Sequence, residues 1–279
     1  MRPSSLIGNH SRARLVAETR EGSTLTAVTS ESDEGYTVRL VPADDPRAVA
    51  ATEAVQAGDL DALEGLLSAD PWLAAARIGD WACYRTLLHA ATDWPGHFPN
   101  GPAVVARLVD AGADVNAHSR FRSHTETPLH WAASSNDIAV LDALLDAGAD
   151  IEAEGAVLGG GTALADACGF GNWEAAQRLV ERGAQTRLSD AAALGLADRV
   201  EAIFASDPAL DPEVITQSFW AACHGGQQIT EYLLDRGANI NWIGWDDKTP
   251  LDLVAEQSQP ELAAWLRARG AKQASELRS

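Results

Sequence analysis

A short phrase beginning Gly-Ala recurs along this chain and closes one helical stretch after another. It is fullest at Gly112-Ala113-Asp114-Val115-Asn116-Ala117 and Gly148-Ala149-Asp150-Ile151-Glu152-Ala153, and shorter at Gly183-Ala184, Gly237-Ala238-Asn239-Ile240-Asn241 and Gly270-Ala271. Most copies stand about thirty to thirty-six residues apart, the period of an array of one supersecondary unit. Each unit in such an array is too small to bury its own apolar face, so neighbours supply the core and the domain grows by addition. The 279 residues therefore do not require two separate domains.

A second motif fixes the register. In Thr127-Pro128-Leu129-His130-Trp131-Ala132-Ala133 the threonine caps a helix, proline takes its first turn, and paired alanines let neighbouring helices approach. The step from Ala133 to Gly148 is repeated from Cys168 to Gly183, Ala222 to Gly237 and Ala255 to Gly270, and also from Val55 to Asp70 and Ala192 to Asp207. One further unit, begun by Thr86-Leu87-Leu88-His89-Ala90-Ala91-Thr92, arrives at Gly112 late. This places an insertion around residues 93–101. Ile138, Leu141, Leu144 and Leu145 follow the spacing of one buried helical stripe, so each unit reads as a helix, a turn and a second helix.

These residues resemble the ankyrin repeat, with its TPLH helix start, alanine-paired first helix, amphipathic second helix and GADVNA turn. The resemblance covers roughly residues 46–272. It implies an all-α solenoid of about seven helix-turn-helix units, two of them irregular. Asp70-Pro71 and Asp207-Pro208 stand where Gly-Ala is expected and suggest a bend or interruption. The short unit from Thr186 to Asp207 is expected to lack its finger hairpin. The resulting division is an N-terminal extension over 1–43, largely mobile, a repeat domain over 44–273, and a C-terminal tail over 274–279. Within the extension, Thr37-Val38-Arg39-Leu40-Val41 alternates as a short strand or extended lead-in would.

Composition narrows the partners. Forty acidic residues against 21 basic ones give a net charge of −19, which opposes association with nucleic acid or an anionic membrane surface and suits a protein partner with a basic surface. The same charge also serves solubility. No stretch approaches the ~20 apolar residues of a membrane span. Cys83, Cys168 and Cys223 are odd in number and far apart, which argues against a disulfide framework or structural zinc site and points to a reducing, cytoplasmic setting.

The residues available to a partner lie in loops and at the exposed ends of first helices. Trp94 and His97 occupy the insertion. His118, Arg120, Phe121, Arg122 and His124 occupy a lengthened finger, with Ser134, Ser135, Phe170, Cys223 and His224 on the adjoining helix positions. Trp242, Trp245 and Asp246 form a second finger suited to an arginine or lysine, since a cation can stack on an indole while a carboxylate answers its charge. His89 and His130, at the TPLH position, are scaffold by resemblance, and Trp131 and Trp220 read as filling between first helices. His97, His118 and His124 suit a transition metal by residue type, but such a site also needs fixed geometry and usually a carboxylate or thiolate at short range, so no metal is expected, and Gly159-Gly160-Gly161 lacks the lysine of a phosphate loop. Cys223 beside His224 reads as inert, because successive helix residues point apart.

The expectation is thus a non-enzymatic protein-interaction module, without metal or cofactor, that binds through a concave helix face and finger loops. Its anchors are Trp94, Phe121, Trp242 and Trp245. The competing expectation is a small-molecule sensor or enzyme whose pocket is built on loop 93–101 and finger 118–126, using Asp93, His97, Arg122 and His124. A third is a passive scaffold whose acidic body binds many partners at once.

Overall fold

The computed structural model describes residues 28–31, 37–121, 124–157 and 160–278. The chain divides into two compact units, 1–150 and 151–279. In the first, β1 (Val28–Glu31) and β2 (Thr37–Val41) precede α1 (Pro46–Ala57) and α2 (Leu60–Ala69). A 3-10 turn at Pro71–Leu73 leads to β3 (Arg77–Gly79) and β4 (Cys83–Arg85), then α3 (Leu87–Thr92) and α4 (Gly101–Asp110), β5 (Arg120–Phe121), α5 (Pro128–Ser134) and α6 (Ile138–Asp146). The second unit holds α7 (Ala163–Gly169) and α8 (Trp173–Glu181), α9 (Leu188–Ala193) and α10 (Ala197–Ser206), α11 (Pro212–Gly225) and α12 (Gln227–Leu234). After a 3-10 turn at Trp245–Asp247 come α13 (Pro250–Glu256), α14 (Pro260–Ala268) and the short α15 (Ala274–Leu277).

The helices pack as consecutive pairs, and within each unit like stacks on like. In the first unit α1, α3 and α5 form one layer and α2, α4 and α6 the other; in the second, α7, α9, α11 and α13 follow one another. The buried stripe is alanine on first helices and leucine or valine on second ones. Ala90, Ala91, Ala132, Ala133 and Ala167 are closed off between first helices, while Leu63, Leu108, Leu144, Leu179 and Leu233 fill the second layer.

The recurring turn phrase has a physical reason. Asn116 Nδ2 donates to the Gly148 carbonyl, and the Asp150 N–H donates to Asn116 Oδ1 at 2.7 Å, so one turn's asparagine is clamped by the next turn's backbone. Asn241 makes the same pair of bonds with Gly270 and Lys272. Where Glu152 replaces asparagine, its carboxylate still accepts from the Gln185 N–H.

Two first helices of the first unit begin with interlocked threonine and histidine. The Thr86 N–H donates to His89 Nδ1, the Thr86 hydroxyl stands 2.8 Å from the same atom, and the His89 N–H returns to Thr86 Oγ1. Thr127 and His130 repeat the arrangement. With Nδ1 accepting, Nε2 carries the proton, and in His89 it lies 3.0 Å from the Glu126 carbonyl of the next finger. Burial and then the nearby Arg85 charge push the His89 ring down to about 3 from its ordinary 6.5, although the Glu126 bond works the other way. The ring is therefore neutral and structural, as the TPLH resemblance implies.

The sheet is the main feature the sequence did not foreshadow beyond its one strand. Strands β1 to β5 hydrogen-bond in sequence order, β2 and β3 parallel and the other pairs antiparallel. Residues 37–41 thus join the first unit through β3. Trp72 lies between the guanidiniums of Arg39 and Arg47, at 4.5 and 4.9 Å from its ring, and its Nε1 donates to Asp70. Asp70, standing where Gly-Ala was expected, therefore leads through a 3-10 turn into the β3–β4 hairpin. Asp207 differs: it is followed directly by the Asp211-capped α11. Only residues 182–187 separate α8 from α9, with no strand among them. Residues 1–27 and 32–36, the bulk of the expected extension, lie outside the described residues.

Candidate functional site

The insertion is a braced loop. Asp93 follows the last residue of α3 and pairs with Arg85, while its side chain accepts from the Trp94 N–H and its carbonyl from the Gly96 N–H. The His97 N–H donates to Asp137 Oδ2 at 2.7 Å, and Asn100 Nδ2 donates to the Gly58 carbonyl. Gly96 lies so close to Ser135 that an added Cβ would sit 2.7 Å from its side chain. Asp137, the cap of α6, is buried and spends both oxygens, on the Val140 and His97 N–H groups. From this fixed base Trp94 projects with 82% of its surface exposed, the most exposed large apolar side chain among the described residues. His97 is also exposed, its ring 4.0 Å from Asp137.

The lengthened finger makes a separate cluster at the other end of the exposed α5 face. Phe121 stacks on His124 at 6.1 Å and tilts against Trp131 at 5.6 Å; Trp131 in turn meets the His89 ring edge-on at 5.0 Å. Beneath them Glu126, 6% exposed, accepts from Trp131 Nε1 and lies 3.0 Å from His124 Nδ1. His124 Nδ1 makes no hydrogen bond there, so the contact is one of proximity. Arg120 is exposed and donates to the Trp81 carbonyl; Arg122 lies outside the described residues. Trp131 and Ser135 are one helical turn apart on the same face of α5. Loop 93–101 is fastened at the Ser135 end and the finger at the Trp131 end, so the two expected walls of a pocket stand a turn apart.

In the second unit His224 is half-buried between Trp173 at 5.0 Å and Trp220 at 6.0 Å, and its Nδ1 accepts from Gln257 at 2.7 Å. Burial lowers the His224 ring, which stays neutral. Gln259 extends the network to Gln257 and to the Cys223 carbonyl. Phe170, 52% exposed, caps α7. Cys223 is buried, its Sγ directed at the Phe219 carbonyl, and burial pushes the thiol up to about 12, so no thiolate forms beside His224.

The second finger is less open than the sequence suggests. Trp242 lies against Gly244, where an added Cβ would strike the indole. Asp246 is exposed, but Lys248 lies 3.9 Å from it and Arg278 donates to Asp247 at 2.8 Å, so both carboxylates already face a cation of this chain. The Trp245 side chain lies outside the described residues. Nothing in the sequence marks Glu126, which is buried beneath an aromatic cluster, whereas Trp131 and Trp220, read as filling, are half-buried within such clusters. The i, i+5 step from Glu126 to Trp131 carries no periodic signal that would have revealed the pair.

Among the described residues no group of three or more His, Cys, Asp and Glu side chains is placed to hold a metal ion, and no helix is long and apolar enough to cross a membrane. Residues 51–155 and 100–190 match the family described as ankyrin repeats (3 copies). Together these matches span 51–190, half of the 279-residue chain, and the chain belongs to the ankyrin repeat family. No curated protein matches it.

Proposed function

We propose that this ankyrin repeat protein is a non-enzymatic interaction module. It captures a protein partner along the exposed faces of its first helices and their fingers, inside the cytoplasm. The observation that carries this reading is Trp94. A loop held by Arg85, Ser135, Asp137 and Gly58 presents an almost fully exposed indole, and a fixed aromatic loses little freedom when a partner covers it. Phe121, His124 and Arg120 on the finger extend the surface within the first unit, and Phe170 and His224 are candidate contacts of the second unit taken by itself. The net charge of −19 disfavours nucleic acid and favours, at long range, partners that are basic overall. The repeat domain is taken as 44–273, with 1–43 and 274–279 as flanking segments.

The test is quantitative capture from the native cell with wild-type protein and Trp94→Ala. Recovery of partner should fall tenfold or more while the melting temperature stays within a degree or two. Equal recovery with the fold intact would overturn the reading.

A further inference from the structure

The sheet of the first unit carries charge of the opposite sign to the rest of the chain. Strands β2 to β5 contain four arginines, Arg39, Arg77, Arg85 and Arg120, and no aspartate or glutamate. Two of the four are already committed: Arg39 lies over Trp72 and Arg85 pairs with Asp93. The other two share a face. Gly79 and Arg120 are both register partners of Tyr84, and Arg77, two residues before Gly79, points the same way. The Arg77 guanidinium lies 4.8 Å from the Tyr84 ring and donates to its hydroxyl at 2.5 Å, while Arg120 donates to the Trp81 carbonyl. Both bonds go to uncharged groups. Elsewhere Arg47, Arg107, Arg178, Arg269 and Arg278 each meet a carboxylate, while Arg199 and Arg236 of the second unit also donate to backbone carbonyls. At the β3–β4 tip, where Arg120 holds its carbonyl, Trp81 is 45% exposed, and the carboxylate of the adjoining Asp80 is occupied by the Ala82 and Cys83 N–H groups.

We propose that this face of β3–β5 docks an acidic stretch of a partner protein. Carboxylates meet Arg77 and Arg120, and an apolar side chain lies against Trp81 and Tyr84. The inference rests on the protein-partner reading above and adds the chemistry of the segment bound. Arginine suits the task because its planar fork takes a carboxylate in two parallel hydrogen bonds, and Tyr84 holds the Arg77 fork in place before binding. Neighbouring strands are ~4.8 Å apart, so the two guanidiniums, on β3 and β5, present charge over roughly 10 Å, a few residues of extended peptide. The acidic remainder of the chain repels an acidic peptide everywhere else and so confines it to this face. A nucleic acid fits poorly, since phosphate-backbone binding draws on many cationic contacts and this patch offers two within a chain of strongly negative charge.

The experiment uses the full chain and three fluorescent twelve-residue probes: a Glu/Leu peptide, the same peptide with lysine for glutamate, and single-stranded DNA, each followed by polarisation at low and moderate salt. The Glu/Leu peptide should bind, weaken with salt, and lose at least tenfold in affinity on R77Q/R120Q. Arg120→Gln alone, at an exposed side chain, should lose about threefold with the melting temperature unchanged. Arg120→Lys should keep part of the affinity. Failure of the Glu/Leu peptide to bind, equal binding by R120Q, or tighter binding of the lysine peptide or the DNA would overturn the proposal. If R77Q/R120Q still recovers the partner that Trp94→Ala loses, the acidic-segment proposal falls and the interaction-module reading stands.

Discussion

The two units hold successive helix pairs together by different chemistry. In the first, histidines lock the helix starts and a sheet joins the fingers, so the pairs are spaced by side chains and strands. In the second, the starts of α9 and α13 are locked by carboxylates: the Arg187 N–H donates to Asp190 Oδ2, and Thr249 donates to Asp252 through both its N–H and hydroxyl. There α9 and α11 meet directly, glycine against backbone. One repeat plan thus tolerates two kinds of contact. Each should fail differently when disturbed.

The glycine contact should be the least tolerant. A Cβ on Gly225 would run into the Ala192 carbonyl, with the Gly195 nitrogen 2.8 Å away, and none of these atoms is the end of a flexible side chain. Gly225→Ala is expected to cost roughly 3 kcal/mol, read as a fall in the denaturant midpoint. Gly183→Ala is the control. Its added Cβ meets open space and only the left-handed φ of +103° is strained, so the loss should be about 1 kcal/mol. Similar losses at the two positions would mean that α9 and α11 are not in backbone contact.

Exchanging the caps comes next in size. His89→Asp keeps an acceptor for the Thr86 N–H but removes the Nε2 proton that reaches the Glu126 carbonyl, leaving that oxygen the Ser119 N–H alone and placing a carboxylate at a buried position. A loss of about 2 kcal/mol is expected. If aspartate serves as well as histidine, the difference between the two units is neutral in energy.

Acid should separate the units as well. The unfolded chain protonates His89 near its ordinary 6.5, whereas the folded ring resists until about 3, so the unfolded state binds more protons throughout that window. Stability therefore falls as pH drops below 6.5, by roughly 2 kcal/mol at pH 5 for this one ring. Urea midpoints between pH 7 and 5 should show the decline, and His89→Asn should flatten it. A decline that persists unchanged in the variant would assign it to other groups.

What the sequence made legible follows the same division. Fold class, helix pairs, the insertion and the missing finger between α8 and α9 were all readable, because Gly-Ala turns and Thr-x-x-His caps are local motifs with a fixed period. Beyond β2, the five-stranded sheet was not: β3 to β5, of two or three residues, are too short to display alternation, and Arg77, Tyr84 and Arg120 come together only through pairing across the chain. The exposure of Trp94 was legible, because a tryptophan in an inserted loop had no packing role to fill. The burial of Glu126 was illegible, since it depends on Trp131 and His124 closing over it. Even the acidic finger misled, since Arg278 reaches Asp247 from outside the repeat register.

The smallest effect bears on the carboxylate caps. Burial raises the Asp190 carboxyl above its ordinary 3.8, and the bond from the Arg187 N–H and that residue's charge only partly oppose it. The folded state then holds this proton more tightly than the unfolded one. Its contribution is lost as pH rises through 3.8 to the raised value, and it stays lost at neutrality, the reverse of His89. Asp252 is the counter-case: burial would raise it, but the N–H groups of Thr249 and Ala274 and the Thr249 hydroxyl together hold it below 3.8, so its ionised form supports α13. Asp190→Asn retains an acceptor for Arg187 and sheds a buried charge, so at pH 7 it should stabilise the protein by less than about 1 kcal/mol. Asp252→Asn should destabilise it by a similar amount, because the neutral amide oxygen accepts these three bonds, all made to Oδ2, without the charge that strengthens them. Thermal unfolding of both variants at pH 7 decides the matter: shifts of the same sign would show that the two carboxylate caps, despite shared geometry with their threonine or arginine partners, do not differ in how burial and hydrogen bonding balance.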